Sequence, residues 1–133
     1  MGNYVSGQLI KAMIKKGINV EGSNVLILGF TFKENCPDIR NTRIIDVVKE
    51  LGNYSCNVDI FDPWVDAEEV EEEYGIIPVS EVKAASYDAI IVAVGHEQFK
   101  KMGSTDIRGF GKDKHVLYDL KYILSPEQSD VRL

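Results

Sequence analysis

The sequence is poor in the residue types that most often announce a site. Its two cysteines, Cys36 and Cys56, are too few and too isolated for a disulfide framework or a four-ligand zinc cage. No apolar stretch approaches the roughly 18 residues that would cross a bilayer. The first residues lack the apolar core and small-residue cleavage site of a secretory leader. Both absences predict a cytoplasmic chain with no membrane partner. Positive charge is also scarce: 15 Lys and Arg stand against 21 Asp and Glu, a net −6. Nucleic acid would meet net repulsion, which disfavours it as a partner without excluding it. Five of the acids cluster in Glu68–Glu73 and read as one solvated helix face, with no metal-ligand pattern beside them. There is no G-x-G-x-x-G, no G-K-[ST], no internal repeat and no low-complexity tract.

What is present is a globular composition, 44% hydrophobic and 27% charged over 133 residues, the size of one domain with a real core. Tyr4–Lys16 places Val5, Leu9, Ile10, Met13 and Ile14 on one helical stripe, with Gly17 as its stop. Gly17–Ser23 reads as a linker between this helix and the strands. Asn24–Gly29 (NVLILG) and Asp88–Val94 (DAIIVAV) are unbroken apolar runs, the pattern of strands covered on both faces, and the second is expected at the centre of the sheet. Cys56–Phe61 and His115–Asp119 read as further strands. Between them, Ile44, Val47, Val48 and Leu51 recur at helical spacing behind a cap at Asn41 or Thr42. Asp62-Pro63 resembles a helix start, and Asp66 with Glu69 a capping box opening a helix to Tyr74. Ile76–Val79 reads as extended, Ser80–Ala85 and Glu97–Met102 as short helices. Strands alternating with helices predict an α/β fold: a Rossmann-like open parallel sheet with helices on both faces, preceded by one helix.

In such a sheet ligands bind at the carboxyl ends of the strands. The segment after the first strand, GFTFKENCPDIRNTR (Gly29–Arg43), brings Lys33, Arg40 and Arg43 just ahead of a helix N-terminus. Cations suit that position poorly unless an anion sits among them, so a phosphate or diphosphate is one reading. Ordinary solvated charges paired with Glu34 and Asp38 are the other, and the residues alone weigh the two equally. A phosphoacceptor receiver domain needs paired acids where the first strand ends in Leu28-Gly29-Phe30, and is excluded.

GFTFKENCPDIRNTR resembles the motif that opens the C-terminal domain of the UDP-glucose/GDP-mannose dehydrogenase family. NVDIFDPWVD, DAIIVAVGHEQF and VLYDLKYIL come after it in that family's order and spacing, so the resemblance covers most of the chain. It is nearest the branch that oxidises UDP-N-acetylhexosamines for surface polysaccharide synthesis. The resemblance implies an NAD-dependent, two-step oxidation of a sugar C6 alcohol to a carboxylate. It also implies a homodimer, with NAD bound mainly by a separate N-terminal domain and the UDP-sugar by this one. Residues 1–20 then correspond to the end of a connecting helix and 21–133 to the UDP-sugar-binding domain. Position by position, Phe32 and Lys33 match the Phe-Lys pair that contacts the UDP-sugar, and Arg40 the arginine that reaches to NAD. Lys121 stands where many members have a substrate-contacting arginine from the neighbouring subunit, keeping the charge without the planar fork.

The family's catalytic cysteine lies in a glycine-containing motif that does not occur here, so no catalytic residue and no metal site are expected. The chain alone is expected to be inactive, in need of the remainder of the dehydrogenase. A stand-alone nucleotide-binding or regulatory module is the alternative. Cys36 has no evident histidine base, and Cys56 reads as packing. His96 reads as loop-shaping or helix-capping, His115 as structural at the start of a strand, and Trp64 as cover for a sheet edge. Asp62 ends the second strand, where a dinucleotide-binding unit carries its ribose acid, but an Asp-Pro helix start explains it better.

Overall fold

Apolar runs without polar alternation must be covered on both sides, and the strands built from them lie side by side. The computed structural model describes residues 2–132. Its elements run α1 (Gly2–Lys15), β1 (Asn24–Leu28), α2 (Ile44–Asn53), β2 (Asn57–Phe61), α3 (Ala67–Tyr74), β3 (Tyr87–Val92), α4 (Glu97–Arg108), β4 (Gly111–Asp119), a 3₁₀ turn (Pro126–Gln128) and β5 (Val131–Arg132). The sheet has the order β2-β1-β3-β4-β5 with every neighbouring pair parallel. The DAIIVAV run is its central strand, as its apolarity predicts.

Side chains alternate between two layers. Val25, Ile27, Ala89, Ile91, Val116 and Tyr118 face the layer of α1, α2 and α3, where Val5, Leu9, Met13, Val47, Leu51 and Val70 meet them. Leu26, Leu28, Ile90, Val92 and Leu117 face the other side, closed by Phe99 and Ile107 of α4. Helices therefore cover both faces, as expected.

The stripe on α1 is buried at Val5, Leu9, Ile10 and Met13, but Ile14 is 63% exposed and does not belong to it. The helix ends at Gly17 (φ +76), with Ile18 N–H donating to the Met13 carbonyl at 2.9 Å and Gly17 N–H to Ile14 at 3.0 Å. The tract 17–23, read as a linker, turns α1 back onto the sheet. Asp66 caps α3 by accepting Glu68 N–H at 3.0 Å.

Three further local expectations fail. Asp62-Pro63 starts no helix: Asp62 Oδ1 accepts Trp64 N–H at 2.8 Å in a turn. Ser80–Ala85 is irregular, since only Val82 packs inward and Ala85 adopts φ +52. His115 lies within β4, which begins at Gly111. The short helix expected over Glu97–Met102 is present and ends at Gly103 (φ 72, ψ 176); a second helical stretch, not expected, carries α4 on to Arg108 and buries Ile107 fully.

The two-residue β5, unforeseen, pairs with Tyr118 and Asp119. Asp130 fastens it: its carboxylate accepts Leu117 N–H at 2.8 Å and ion-pairs with Lys16 (3.0 Å) and Arg108 (3.2 Å). Burial alone would raise this carboxyl; the Leu117 N–H, Lys16 and Arg108 outweigh it and hold it below the usual carboxylate range. Among the described residues no helix is long and apolar enough to cross a membrane.

Candidate functional site

The connection leaving β1 runs to α2 on one face of the sheet, and the one leaving β3 runs to α4 on the other. A crevice opens between such diverging connections. Gly29, at the exit of β1, has φ +105, and a Cβ there would lie 2.6 Å from Val94 Cβ and 2.8 Å from Val94 N. The two connections thus pass in contact, and no side chain fits at position 29.

Beyond Gly29 the loop is held by a buried acid on the neighbouring strand end. Asp62 Oδ2 accepts Phe30 N–H at 2.7 Å and Thr31 N–H at 3.1 Å, and lies 3.0 Å from His96 Nε2. Burial pushes the Asp62 carboxyl up; the bonds from His96, Phe30 and Trp64 prevail and hold it below its ordinary value. His96 is fully buried. Its Nδ1 accepts Asn35 N–H at 2.9 Å, which assigns the ring proton to Nε2, shared between Asp62 and Thr31 Oγ1 at 3.1 Å. The Thr31 hydroxyl in turn donates to the Lys33 carbonyl at 2.9 Å. Asn35 Oδ1 accepts Glu97 N–H at 2.9 Å and so caps α4 from across the crevice. His96 is the loop-shaper of the two roles expected for it; its own side chain makes no capping bond. Trp64, which follows the edge strand β2, has its ring 6.1 Å from that of His96, and its Nε1–H donates to Gln98 of α4.

A second buried acid shapes the opposite wall. Asp119, at the end of β4, accepts the N–H groups of Lys121 (3.1 Å), Ile123 (3.4 Å) and Leu124 (2.9 Å). Between the walls is a cleft of about 230 Å³, lined by Phe32 and Asn41 from the first loop, Arg43 and Ile44 at the start of α2, Val94 after β3 and Lys121 after β4. No carboxylate lines it among the described residues.

Of the residues expected at a site, Phe32 and Lys121 meet in this cleft. Lys33 is exposed on the same loop but does not line it. Arg40 is not there either: it points to solvent and grips Asp38 with two bonds, Nε to Oδ1 at 3.0 Å and an Nη to Oδ2 at 3.1 Å. The side-chain hydrogen bond from Arg40 holds the Asp38 carboxyl below its ordinary value. The solvated-pair reading thus describes Arg40, while Arg43 and Lys121 have no ion pair among the described residues. Asn41 and Asn35 were missed from the sequence. Their φ values of +59 and +55 offer a signal, since asparagine tolerates left-handed backbone.

Neither histidine serves Cys36 as a base. Both ring nitrogens of His96 are engaged, and His115 uses its own on the Lys112 carbonyl (2.7 Å) and Arg108 (3.1 Å). Cys56 is buried, with its sulfur 3.4 Å from Ser23 Oγ.

A dinucleotide does not fit the turn after β1. In a dinucleotide-binding unit that turn's N–H groups face the pyrophosphate and the acid ending the second strand faces a ribose. Here Asp62 has turned onto the N–H groups of Phe30 and Thr31, so each half of such a cradle occupies the other.

Residues 26–126 match the UDP binding domain of the UDP-glucose/GDP-mannose dehydrogenase family. The chain is 89% identical over its whole length to a UDP-N-acetyl-D-glucosamine 6-dehydrogenase of Salmonella typhi, covering 31% of that protein. It is 56% identical over its whole length to one of Pseudomonas aeruginosa, covering 32%. It therefore spans about a third of the length of these curated relatives. Among solved structures, an NDP-N-acetyl-D-galactosaminuronic acid dehydrogenase from Methanosarcina mazei Go1 superposes with a TM-score of 0.83 at 21% identity, over 96% of this chain and 26% of that one, a likeness of fold.

Proposed function

Because the chain belongs to the UDP-glucose/GDP-mannose dehydrogenase family, we propose that it holds the UDP portion of a nucleotide sugar in the cleft between Phe32 and Lys121. The full enzyme would be an NAD-dependent 6-dehydrogenase oxidising a sugar C6 alcohol to a carboxylate for surface polysaccharide synthesis. The identity to the Salmonella typhi protein favours UDP-N-acetyl-D-glucosamine as that substrate. The observation that carries the reading is the cleft's charge. In a chain of net −6, Arg43 and Lys121 flank it, no carboxylate lines it among the described residues, and the N-terminus of α2 opens at its edge.

At about 230 Å³ the cleft is smaller than the roughly 300–1,000 Å³ of a complete small-molecule site, as a half-site would be. Lys121 and Arg43 neutralise the diphosphate, Phe32 offers its 57% exposed ring to the nucleotide, and Lys33 adds charge at the rim. NAD, which would accept hydride in the full enzyme, is seated outside this chain, with Arg40 as the residue here that reaches toward it. The bond-making residues are likewise elsewhere, so the chain alone binds and does not turn over. Its setting is a cytoplasmic homodimer of the full enzyme.

The test is a UDP titration of this chain followed by backbone amide NMR. Shifts at Phe32, Arg43 and Lys121 are expected. No shift there at millimolar UDP refutes the reading.

A further inference from the structure

We propose that His96 is a positioning residue for Phe32 at the cleft and Lys33 at its rim, acting through the bare Nδ1 that accepts Asn35 N–H; the proposal rests on the reading of the cleft as a UDP site. His96 does not line the cleft and has no exposed surface, so it touches no ligand. It acts through backbone. Residues 31–35 are pinned at Thr31 N–H by Asp62, at Phe32 N–H by the Asp38 carbonyl (2.7 Å), at the Lys33 carbonyl by Thr31 Oγ1, and at Asn35 N–H by His96. The imidazole makes the pin at Asn35 itself through Nδ1, while its Nε2 lies 3.0 Å from Asp62 and 3.1 Å from Thr31 Oγ1, two groups that the other pins at Thr31 and Lys33 already fix. The side chains of Phe32 and Lys33 make no hydrogen bond or ion pair of their own among the described residues, and both are exposed. Their direction is therefore set by the backbone that carries them. Binding groups left loose by a weak supporting layer lose affinity and rate out of proportion to their contacts.

A histidine is suited to this place because one ring edge accepts while the other donates. Asparagine can put an acceptor where Nδ1 stands, and glutamine can reach where Nε2 stands, but neither does both. That separates the acceptor from the bulk of the ring.

The test is amide NMR on the wild-type chain, His96→Asn and His96→Gln, with UDP as the probe. Without ligand, His96→Gln is expected to raise hydrogen exchange at Asn35 on the order of tenfold while β1 and β3 stay protected; His96→Asn changes it by less than about threefold. With UDP, His96→Gln weakens binding about tenfold and His96→Asn no more than about twofold. Equal protection at Asn35 in all three proteins overturns the proposal. So does equal weakening by both variants, which would assign the effect to the ring's volume. If neither variant folds, the wild-type chain decides. Its His96 nitrogen shifts must report a bare Nδ1 and a protonated Nε2, and the Asn35 amide must move with those of Phe32 and Lys33 as UDP is added. A protonated Nδ1, or an Asn35 amide that stays still while those two move, overturns it. A wild-type chain that shows no UDP shifts at all refutes the reading of the cleft and the ligand clause with it; exchange at Asn35 then stands for or against the histidine's hold on the loop.

Discussion

Asn35 and His96 bind each other's segments in both directions: Asn35 N–H donates to His96 Nδ1 at 2.9 Å, and Asn35 Oδ1 accepts the N–H of Glu97, the residue after the histidine, at 2.9 Å. The pair joins the connection leaving β1 to the start of α4, and asparagine supplies both the side-chain acceptor and the left-handed backbone (φ +55) this requires. Asn35→Gly keeps the backbone and loses the cap, at an expected cost of about 1 kcal/mol. Asn35→Ala loses the cap and strains the backbone as well, for about 2 kcal/mol. Urea unfolding of the two variants checks the order; an alanine variant as stable as the glycine one would remove the backbone argument.

Gly29 offers a sharper contrast. Gly29→Ala forces a Cβ to within 2.8 Å of the Val94 backbone nitrogen at φ +105, and we expect a loss of about 3 kcal/mol. Gly7, inside α1, has nothing within 4 Å of where its Cβ would sit, so Gly7→Ala is expected to stabilise by about 0.5–1 kcal/mol. The same substitution thus changes sign with position, and paired denaturation midpoints measure it.

The strands were legible because NVLIL and YDAIIV are apolar on both parities, a property of the residues themselves. The crevice was legible to the extent that alternating strands and helices imply one. The bracing of the site was not. Asp62 meets its partners 31 to 34 residues away, and nothing local in Asp62-Pro63 says that its carboxylate faces Phe30 and Thr31 rather than solvent or a ribose. The break at Gly103 agrees with the short helix expected over Glu97–Met102, while the burial of Ile107, which goes with the second helical stretch beyond it, is tertiary. The same limit applies to Arg40 and Arg43, three residues apart: which one is neutralised by Asp38 and which faces the cleft depends on how the loop folds.

The charges at the site differ in what they have left to give. Arg40 already shares its guanidinium with Asp38, so Arg40→Ala is expected to change UDP affinity by less than about twofold. Lys33 and Lys121 have no ion pair among the described residues. Lys33→Ala is expected to weaken UDP binding more than Arg40→Ala does, and Lys121→Ala by about tenfold, the weight of one charge-assisted hydrogen bond. Lys121→Arg is expected to retain binding. Titration at two salt concentrations checks all four variants, and equal losses for Lys33 and Arg40 would contradict the division of roles.

The depressed Asp62 carboxyl makes a prediction with a definite sign. Its folded value lies below the unfolded one, so its stabilisation is fully present above the unfolded pKa of about 3.9 and is lost as pH falls through the folded value. Asp62→Asn is expected to cost about 2 kcal/mol at pH 7, because an amide cannot accept from both loop N–H groups and His96 with the same strength. It is also expected to lose less stability than wild type between pH 5 and pH 3. Chemical denaturation at both pH values gives the comparison, and parallel losses in the two proteins would contradict it.

That carboxylate also sets a boundary for redesign. Converting the turn after β1 into a pyrophosphate cradle by adding glycines would bring a dianion against a buried negative charge whose oxygen already sits 2.7 Å from Phe30 N and 3.1 Å from Thr31 N. Removing the charge first would free both N–H groups and, in the same step, cost His96 the charged one of the two acceptors around its Nε2 proton. The bonds that close this turn to a pyrophosphate are the same ones that hold the loop after β1 in place, so a redesign that frees one loosens the other.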